Sequence, residues 1–345
     1  MTKRRVIGGE IAIEPQMLIE KASAINIEYS SGRAALYCIL RNIQKIFGGG
    51  TILIPDYLCD SITNTIVDAG WNYDFYHINE RLTVAGIEEL ELSEYKAILL
   101  INYFGLFDLK DTISKIKELN NSLVVIEDDV QAFYSYKESA ADYSFTSLRK
   151  WFSCSEGAFI KTSNDVEPVI SDRSIFGQYK IAGNLLKSYS DIIDDSICLE
   201  LLNKGEELLD YEYLTGCSHA SQVIFSNIDL KEVEEIRKNN AKILHEGLEK
   251  MGVRHLYKKD ATLLFIPIFV DDRRSLRSLF FQNNIFTPIH WPHISEELNG
   301  NNRIYDRELS LICDQRYDEN DMNRQLEIIS QFMDRVGEEH GGNDS

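Results

Sequence analysis

Short, mostly apolar stretches alternate with amphipathic ones through the first half of the chain, and this alternation constrains the fold more than any other feature. The apolar stretches predict β-strands, since they are brief and bounded by turn residues: TILIP (51–55), NYDFYHI (72–78), KAILLINYF (96–104) and SLVVIED (122–128). Residues 33–47, 60–69 and 110–119 carry apolar side chains at helical spacing. Apolar strands separated by helices predict an α/β fold with a mostly parallel central sheet and helices on both faces. In such sheets, ligands bind beyond the carboxyl ends of the strands.

The second half of the chain has a different pattern. Residues 229–251 predict a long amphipathic helix that ends at Gly252. A strand (261–270), a helix (273–283), a short strand near Ile285 and a last helix (319–336) are expected to follow. We therefore predict a large domain over 20–235, a smaller C-terminal α+β domain over 236–337 and a disordered tail over 338–345.

Charge and cysteine usage exclude several classes of protein. The chain has 36 basic and 55 acidic residues, a net charge of −19, which disfavours binding to nucleic acids or anionic membranes. The longest apolar run, AILLI (97–101), is too short to span a bilayer. The six cysteines form no CxxC motif and no paired spacing, so we expect neither a metal site nor disulfides, and a reducing cytoplasm.

Three motifs could carry chemistry. SSGRAAL (30–36) opens the first long helix, where free backbone N–H groups suit a phosphate, although an ordinary serine cap has the same pattern. IEDDVQ (126–131) ends a strand in three acids, whose repulsion a cation such as a protonated pyridine nitrogen would offset; a solvated turn is the alternative.

The third motif is YSFTSLRKW (143–151). A lysine beside an arginine has its pKa lowered by the like charge, which favours the neutral amine that a Schiff base requires. Alone, such a pair is more often a solvated surface. A phosphate turn, a carboxylate and a lysine in this order are together the three contacts that pyridoxal phosphate (PLP) needs.

In order and spacing these motifs resemble the DegT/DnrJ/StrS-type sugar aminotransferases, which have the PLP-dependent fold type I. The resemblance runs from about Tyr29 to Phe332, and it rests on motifs of which IEDDVQA is the most specific: SGRAAL (31–36), ILIPDYLCDSI (52–62), LLINYFG (99–105), VVIEDDVQAF (124–133), YSFTSLRKW (143–151) and HWP (290–292).

The resemblance implies roles for individual residues. Lys150 would join the cofactor as a Schiff base, and Asp128 would keep the pyridine nitrogen protonated. The remaining cofactor contacts implied are Gln131 near the ring, the turn Gly32, Arg33 and Ala34 at the phosphate with Ser144 or Ser147, and Cys59 where an aromatic residue usually stacks.

The chain departs from the family pattern in ways that keep a second interpretation open. Counted from Ser144, the usual lysine position holds Arg149, and Lys150 comes one residue later, although Ser147-x-x-Lys150 matches the wider fold. Arg33 replaces a frequent threonine, and LTGCSHA (214–220) stands where an asparagine–arginine motif often reaches a partner subunit. A PLP-binding but non-catalytic homologue with a regulatory or structural role is therefore the alternative.

The main interpretation that the resemblance implies is a PLP-dependent aminotransferase. Its expected substrates are a keto sugar, which we expect to be nucleotide-linked and to serve cell-surface polysaccharide synthesis, and glutamate as the amino donor. A homodimer is expected, because relatives of this fold build each active site at a dimer interface.

Overall fold

The computed structural model describes residues 5–19, 25–166, 172–291 and 304–341. Its contacts divide the chain into two compact units, Glu10–Asp229 and a second unit made of Met1–Gly9 with Leu230–Ser345. The strands are β1 (Ile7–Gly8), β2 (Thr51–Pro55), β3 (Asn72–Tyr76), β4 (Ala97–Ile101), β5 (Val124–Asp128), β6 (Tyr143–Phe145), β7 (Ile160–Thr162), β8 (Asp172–Arg173), β9 (Thr215–Gly216), β10 (Phe265–Phe269), β11 (Ile285–Phe286) and β12 (Glu308–Ile312). The helices are α1 (Gly32–Phe47), α2 (Asp60–Asp68), α3 (Lys110–Leu119), α4 (Ile175–Lys187), α5 (Asp195–Leu209), α6 (His219–Ser226), α7 (Leu230–Met251), α8 (Arg273–Gln282), α9 (Ile304–Arg307) and α10 (Glu319–Gly341).

The larger unit is built on a sheet with the strand order β3-β2-β4-β5-β6-β7. Every neighbouring pair is parallel except β6 and β7, which are antiparallel. Every residue of β4 and β5 is buried, including Glu127 and Asp128 at the end of β5, as expected for strands of a parallel sheet that is covered on both faces. The predicted α/β class with a mostly parallel sheet is confirmed, and the predicted strands 51–55, 72–78, 96–104 and 122–128 each contain an observed strand.

Two helices that the sequence did not predict, α4 and α5, pack closely in the larger unit. A Cβ on Gly183 would lie 2.8 Å from Leu202 Cγ, and one on Gly205 would lie 2.7 Å from Lys180 Cγ. Because neither glycine has a side chain, the two helices can approach closely at both positions. This packing sets the position of Lys180 and of the residues on the facing side of α5.

The smaller unit combines an antiparallel pair, β10 with β12, and a parallel pair, β1 with β11. Helix α10 packs against α7 and α8. In this unit the His290 N–H donates to Glu308 Oε2 over 2.7 Å, and His290 Nδ1 lies 2.8 Å from Ser310 Oγ. Pro292 of the HWP motif lies outside the described residues.

The unit boundaries differ from those that the sequence suggested. The boundary predicted between 235 and 236 falls inside α7, whereas the contacts divide the chain before this helix, between Asp229 and Leu230. The amino-terminal residues join the second unit because β1 pairs with β11, a long-range pairing without a local sequence signal. Helix α10 continues to Gly341, so 338–341 belong to it, and 342–345 lie outside the described residues. Among the described helices, none combines the length and the apolar character needed to cross a bilayer.

Candidate active site

The three candidate motifs meet at the carboxyl edge of the parallel sheet in the larger unit. Asp128 is the last residue of β5, and β6 runs parallel to β5 with Asp128 opposite Phe145. After β6 the chain enters the short 3-10 turn Leu148–Lys150, whose position is fixed because Trp151 Nε1 donates to the carbonyl of Val130 over 2.9 Å. Both Asp128 and Lys150 therefore lie at the edge where parallel sheets bind ligands.

Asp128 is the acid of the three whose charge lies near Lys150. Its side chain is buried and its Oδ1 accepts the N–H of Val130 over 2.9 Å. Burial raises the pKa of Asp128 to about 6, although the Val130 N–H and the charge of Lys150 act to lower it. A carboxylate held in this state gains much from a permanent cation nearby.

The other two acids of the motif have structural partners. Asn102 Nδ2 donates to Asp129 Oδ1 over 3.2 Å, and the hydroxyl of Ser139 donates to Glu127. Burial raises the pKa of both carboxyls, and for Asp129 the charge of Glu127 raises it further. Protonation and hydrogen bonding therefore relieve part of the repulsion that the sequence motif predicts.

The geometry separates the roles of Arg149 and Lys150. Arg149 Nη2 lies 3.2 Å from Glu206 Oε1, and although burial alone would lower the pKa of Arg149, the Glu206 carboxylate raises it. Within the described residues, Lys150 forms no hydrogen bond or ion pair. Burial lowers the pKa of Lys150, and the charge of Arg149 lowers it further. Cys59 and the carboxylate of Asp128 act in the opposite direction and offset part of this shift.

The start of α1 lies beside this pair of motifs. A Cβ built on Gly32 would lie 3.1 Å from Val130 Cγ2 and 3.5 Å from Ser147 Cβ, so only glycine fits between the two segments without displacement. Ser31 caps the helix by accepting the N–H of Ala34 over 3.1 Å. The Ala34 N–H is thus already used, which leaves the amides of Gly32 and Arg33 as the helix-terminal donors toward an anion.

Two neighbouring groups hold this turn in place. The carbonyl of Thr215 accepts the Ser30 N–H over 3.1 Å, and the Ser30 and Thr215 hydroxyls lie 2.8 Å apart. The LTGCSHA segment therefore contacts the turn before α1 of its own chain through Thr215. Arg33 forms an ion pair with Asp210.

Three further candidate side chains near the sheet edge are two serines and a glutamine. Ser144 Oγ donates to the carbonyl of Tyr136 over 3.0 Å inside the sheet, whereas Ser147 is buried against Gly32, so Ser147 is the better placed hydroxyl. Gln131 Oε1 accepts the N–H of Phe104 over 2.8 Å, while its Nε2 is buried and has no hydrogen-bond partner in the described part of the chain.

The position expected to supply a stacking aromatic residue holds a thiol. Cys59 precedes α2 and accepts the Ser61 hydroxyl over 3.2 Å. Tyr57, two residues earlier, is fully buried, with its ring centroid 5.4 Å from that of Tyr103. Tyr57 belongs to the core, so the aromatic position has no replacement from this segment.

Comparison with known proteins finds relatives by structure only. No protein-family model matches the sequence, and no curated protein matches it. Among solved structures, a DegT/DnrJ/EryC1/StrS aminotransferase from Brucella abortus aligns with a TM-score of 0.63 at 16% identity over 89% of this chain and 85% of that chain. A proposed sugar aminotransferase from Streptococcus pneumoniae, in its PLP form, aligns with a TM-score of 0.67 at 14% identity over 95% and 94%. DesI in the presence of its TDP-sugar product aligns with a TM-score of 0.65 at 15% identity over 92% and 83%.

This chain shares the fold of these aminotransferases. The alignments cover most of both chains in each case, so the likeness includes the whole architecture rather than one motif. At identities this low, the fold follows from the comparison, and the site must be argued from its own residues.

A network of charges next to Lys150 was not predicted from the sequence. Lys180, which is only 2% exposed, lies 2.7 Å from Glu206 Oε2 and also pairs with Glu10. Burial would raise the pKa of Glu206, but the charges of Arg149 and Lys180 lower it to about 2. Glu206 and Lys180 lie on helices far along the chain from Arg149, so no local spacing could have identified them.

Proposed function

We propose that the protein is a PLP-dependent aminotransferase. The observation that carries the proposal is the convergence at one sheet edge of a buried carboxylate, Asp128, a lysine with a lowered pKa, Lys150, and a helix start packed on Ser147. This combination matches the three contacts that PLP requires, at its pyridine nitrogen, its aldehyde carbon and its phosphate.

The residues present fit PLP. Asp128 would pair with the pyridine nitrogen, since the raised pKa of this buried carboxyl marks a site where a cation is stabilising. The amides of Gly32 and Arg33 with the Ser147 hydroxyl would hold the phosphate. The unpartnered Nε2 of Gln131 would supply a further donor near the ring. When bound, PLP supplies an electron sink for the negative charge that develops on the substrate carbon.

Lys150 would act twice in transamination. Its Nζ would hold the cofactor covalently, a role that requires the neutral amine. The same Nζ, when not so engaged, would take the proton from the substrate carbon that bears the nitrogen. Burial and the Arg149 charge lower the pKa of Lys150, so a larger fraction is neutral near pH 7 than for a solvated lysine.

Arg149 would keep Lys150 in this role rather than compete with it. Its guanidinium remains protonated and is bound by Glu206, so it is neither free nor nucleophilic. The shifted lysine position is therefore compatible with a working site. This favours turnover over the alternative of a non-catalytic, cofactor-binding homologue.

The substrate class rests on the structural relatives alone. One relative was solved in the presence of its TDP-sugar product, and others are named as sugar aminotransferases. On this basis we propose a nucleotide-linked keto sugar as substrate. The proposals of glutamate as amino donor and of cell-surface polysaccharide as the destination of the product rest on the family resemblance of the sequence. None of the six cysteines forms a disulfide, which supports a reducing compartment such as the cytoplasm.

Borohydride trapping tests the assignment of the site. The protein incubated with PLP and reduced should carry the cofactor on the Lys150 peptide, and Lys150→Ala should abolish both the label and the visible absorbance of the bound cofactor. Lys161→Ala, which removes another lysine of the same β6–β7 hairpin, is the matched control and should keep both. A label on another lysine would refute the assignment.

Turnover is tested separately from cofactor capture. Glutamate should bleach the visible band of the wild-type protein, and a nucleotide-linked keto sugar should restore it with release of an amino sugar that mass spectrometry detects. If the band forms on Lys150 but no amino donor changes it, the non-catalytic alternative is correct.

We also propose a homodimer. Large apolar side chains are exposed along and beside the α4–α5 pair, two of them at 83%: Ile175, Tyr189, Ile192, Ile197, Leu199 and Tyr211. A second copy covering this surface would remove it from water. Sedimentation equilibrium should give twice the 39.6 kDa chain mass, and Ile192→Asp should shift it towards the monomer. Ile46→Asp, on an exposed position of α1, is the control; a wild-type monomer would refute the proposal.

A further inference from the structure

Two histidines and a glutamate converge in the smaller unit at the end of α7. His245 and Glu249 are four residues apart, so they lie on the same face of the helix, and His255 returns to this face from the segment beyond it. One ligand atom from each of the three lies within 4.8 Å of the others. The His245 Nδ1 and His255 Nε2 atoms are 2.8 Å apart, and His255 Nε2 is 3.7 Å from Glu249 Oε1.

The backbone after α7 builds this arrangement. Gly252 has a φ of +66°, the left-handed conformation that ends helices, and the Val253 N–H donates back to the Leu248 carbonyl over 3.0 Å. The chain therefore reverses over the last helical turn. An isolated bridge between His255 and Ile268 ties the reversed segment to β10.

Both imidazoles are oriented by their surroundings. The side chain of His255 is 3% exposed, and its Nδ1–H donates to the Val253 carbonyl over 2.8 Å. Its Nε2 therefore carries a lone pair, which accepts the hydrogen bond from His245 Nδ1–H; a metal ion would take the place of that shared proton. A ring held through its other nitrogen by a backbone carbonyl is the arrangement found behind metal-bound histidines. The His245 ring stacks on Tyr257, with centroids 4.0 Å apart and planes 14° from parallel.

We propose that His245, Glu249 and His255 bind a Zn²⁺ ion. Two imidazole nitrogens with one carboxylate are a ligand set that zinc accepts and that Mg²⁺ and Ca²⁺ do not prefer. Zn–N bonds of about 2.0–2.1 Å in tetrahedral geometry place ligand atoms about 3.3 Å apart. The separations of 2.8 and 3.7 Å bracket this value, and Glu249, whose side chain is 65% exposed, can move without disturbing the core.

The location also favours a cation. The site lies at the carboxyl end of a 22-residue helix, where the backbone dipole is negative. Three protein ligands leave a fourth position for water, and the ion would clamp the end of α7 to the reversed segment 253–257. This site is independent of the proposed aminotransferase chemistry. It contains no cysteine, so the cysteine spacing that disfavours a metal site does not bear on it.

Metal titration of the full-length, untagged chain tests the proposal. After removal of metal with a chelator, calorimetry with Zn²⁺ should give about one equivalent per chain. Glu249→Gln and His245→Ala should each weaken binding by at least about tenfold. Glu246→Gln, which removes a neighbouring exposed carboxylate from the same helix, is the matched control and should change the affinity by less than about twofold.

The spectrum of Co²⁺ provides a readout that a change of stability cannot mimic. Wild-type protein loaded with Co²⁺ should show the visible bands of tetrahedral nitrogen and oxygen coordination, and Glu249→Gln should lose them while its circular dichroism stays unchanged. Two results would overturn the proposal: no uptake of a Zn²⁺ equivalent by the wild type, or equal uptake by the wild type and both ligand variants. The second result would place the metal on other groups, such as the thiols.

Discussion

Asp128→Asn is expected to raise the unfolding free energy of the cofactor-free protein and to lower the transamination rate of the cofactor-bound protein. Burial raises the pKa of Asp128 from the usual 3.8 to about 6, so the charged carboxylate disfavours the folded state. One pKa unit corresponds to about 1.4 kcal/mol, so the penalty reaches about 3 kcal/mol at high pH. Asparagine removes the charge and keeps Oδ1 as acceptor for the Val130 N–H.

The pH dependence of this effect follows from the sign of the shift. The penalty is fully present above the folded pKa of about 6 and disappears as the pH falls towards 3.8, where the carboxyl is protonated in both states. The gain in unfolding free energy for Asp128→Asn should therefore be about 3 kcal/mol at pH 7.5 and about 1 kcal/mol at pH 4.5.

Urea unfolding of the cofactor-free protein at both pH values measures this difference. Asp191→Asn, which neutralises an exposed acid of the same unit, is the control and should change stability by less than about 0.5 kcal/mol at either pH. With saturating PLP, Asp128→Asn should transaminate more slowly than the wild type, because an amide cannot pair with a protonated pyridine nitrogen. A loss of about 2–5 kcal/mol corresponds to at least a tenfold lower rate. A gain that does not depend on pH would refute the reasoning.

Two further substitutions test the surroundings of Lys150. Gly32→Ala should weaken PLP binding in a spectroscopic titration, because the added methyl would lie 3.1 Å from Val130 Cγ2 and would push the phosphate turn away; unchanged affinity would show that the turn is not a cradle. Glu206→Gln should lower the unfolding free energy by about 1–2 kcal/mol at pH 7, a value reduced for the 45% exposure of Glu206. Since the pKa of Glu206 falls from 4.5 to about 2 on folding, that loss should shrink as the pH drops through this range, and a constant loss in thermal melts would contradict the ion-pair account.

Those parts of the fold that depend on local pattern could be predicted from the sequence. The strand that contains Asp128 and the helix that begins at Gly32 appear where apolar periodicity places them. The pairing of β1 with β11 could not be predicted, because both strands are two residues long and lie far apart in the chain. The short apolar run of β12 was also missed, although its pairing with β10 makes the smaller sheet.

In the candidate site, too, some features follow from local sequence pattern and others depend on long-range packing. The order of the motifs places Asp128 and Lys150 at one sheet edge, because Asp128 ends β5 and Lys150 follows β6, the parallel strand next to it. The choice between Ser144 and Ser147 needed the sheet register, which turns Ser144 towards the Tyr136 carbonyl. The partner of Arg149 needed the packing of α5, and the cluster of His245 with His255 needed the chain reversal at Gly252.

With β7 antiparallel to β6, three strands that are consecutive in the chain lie side by side at the site. The candidate site therefore combines one segment with local contacts and one residue, Gly32, from far along the chain. The segment β5–β6–β7, residues 124–162, contains both Asp128 and Lys150, and within it each strand pairs with the next one along the chain. Such local contacts close short loops and can form early in folding. Gly32, which contacts Val130 and Ser147, lies roughly a hundred residues earlier in the chain. The segment with Asp128 and Lys150 should therefore form before the start of α1 packs onto it at Gly32. Binding of a phosphate-bearing ligand during refolding should report this late long-range contact rather than formation of the sheet.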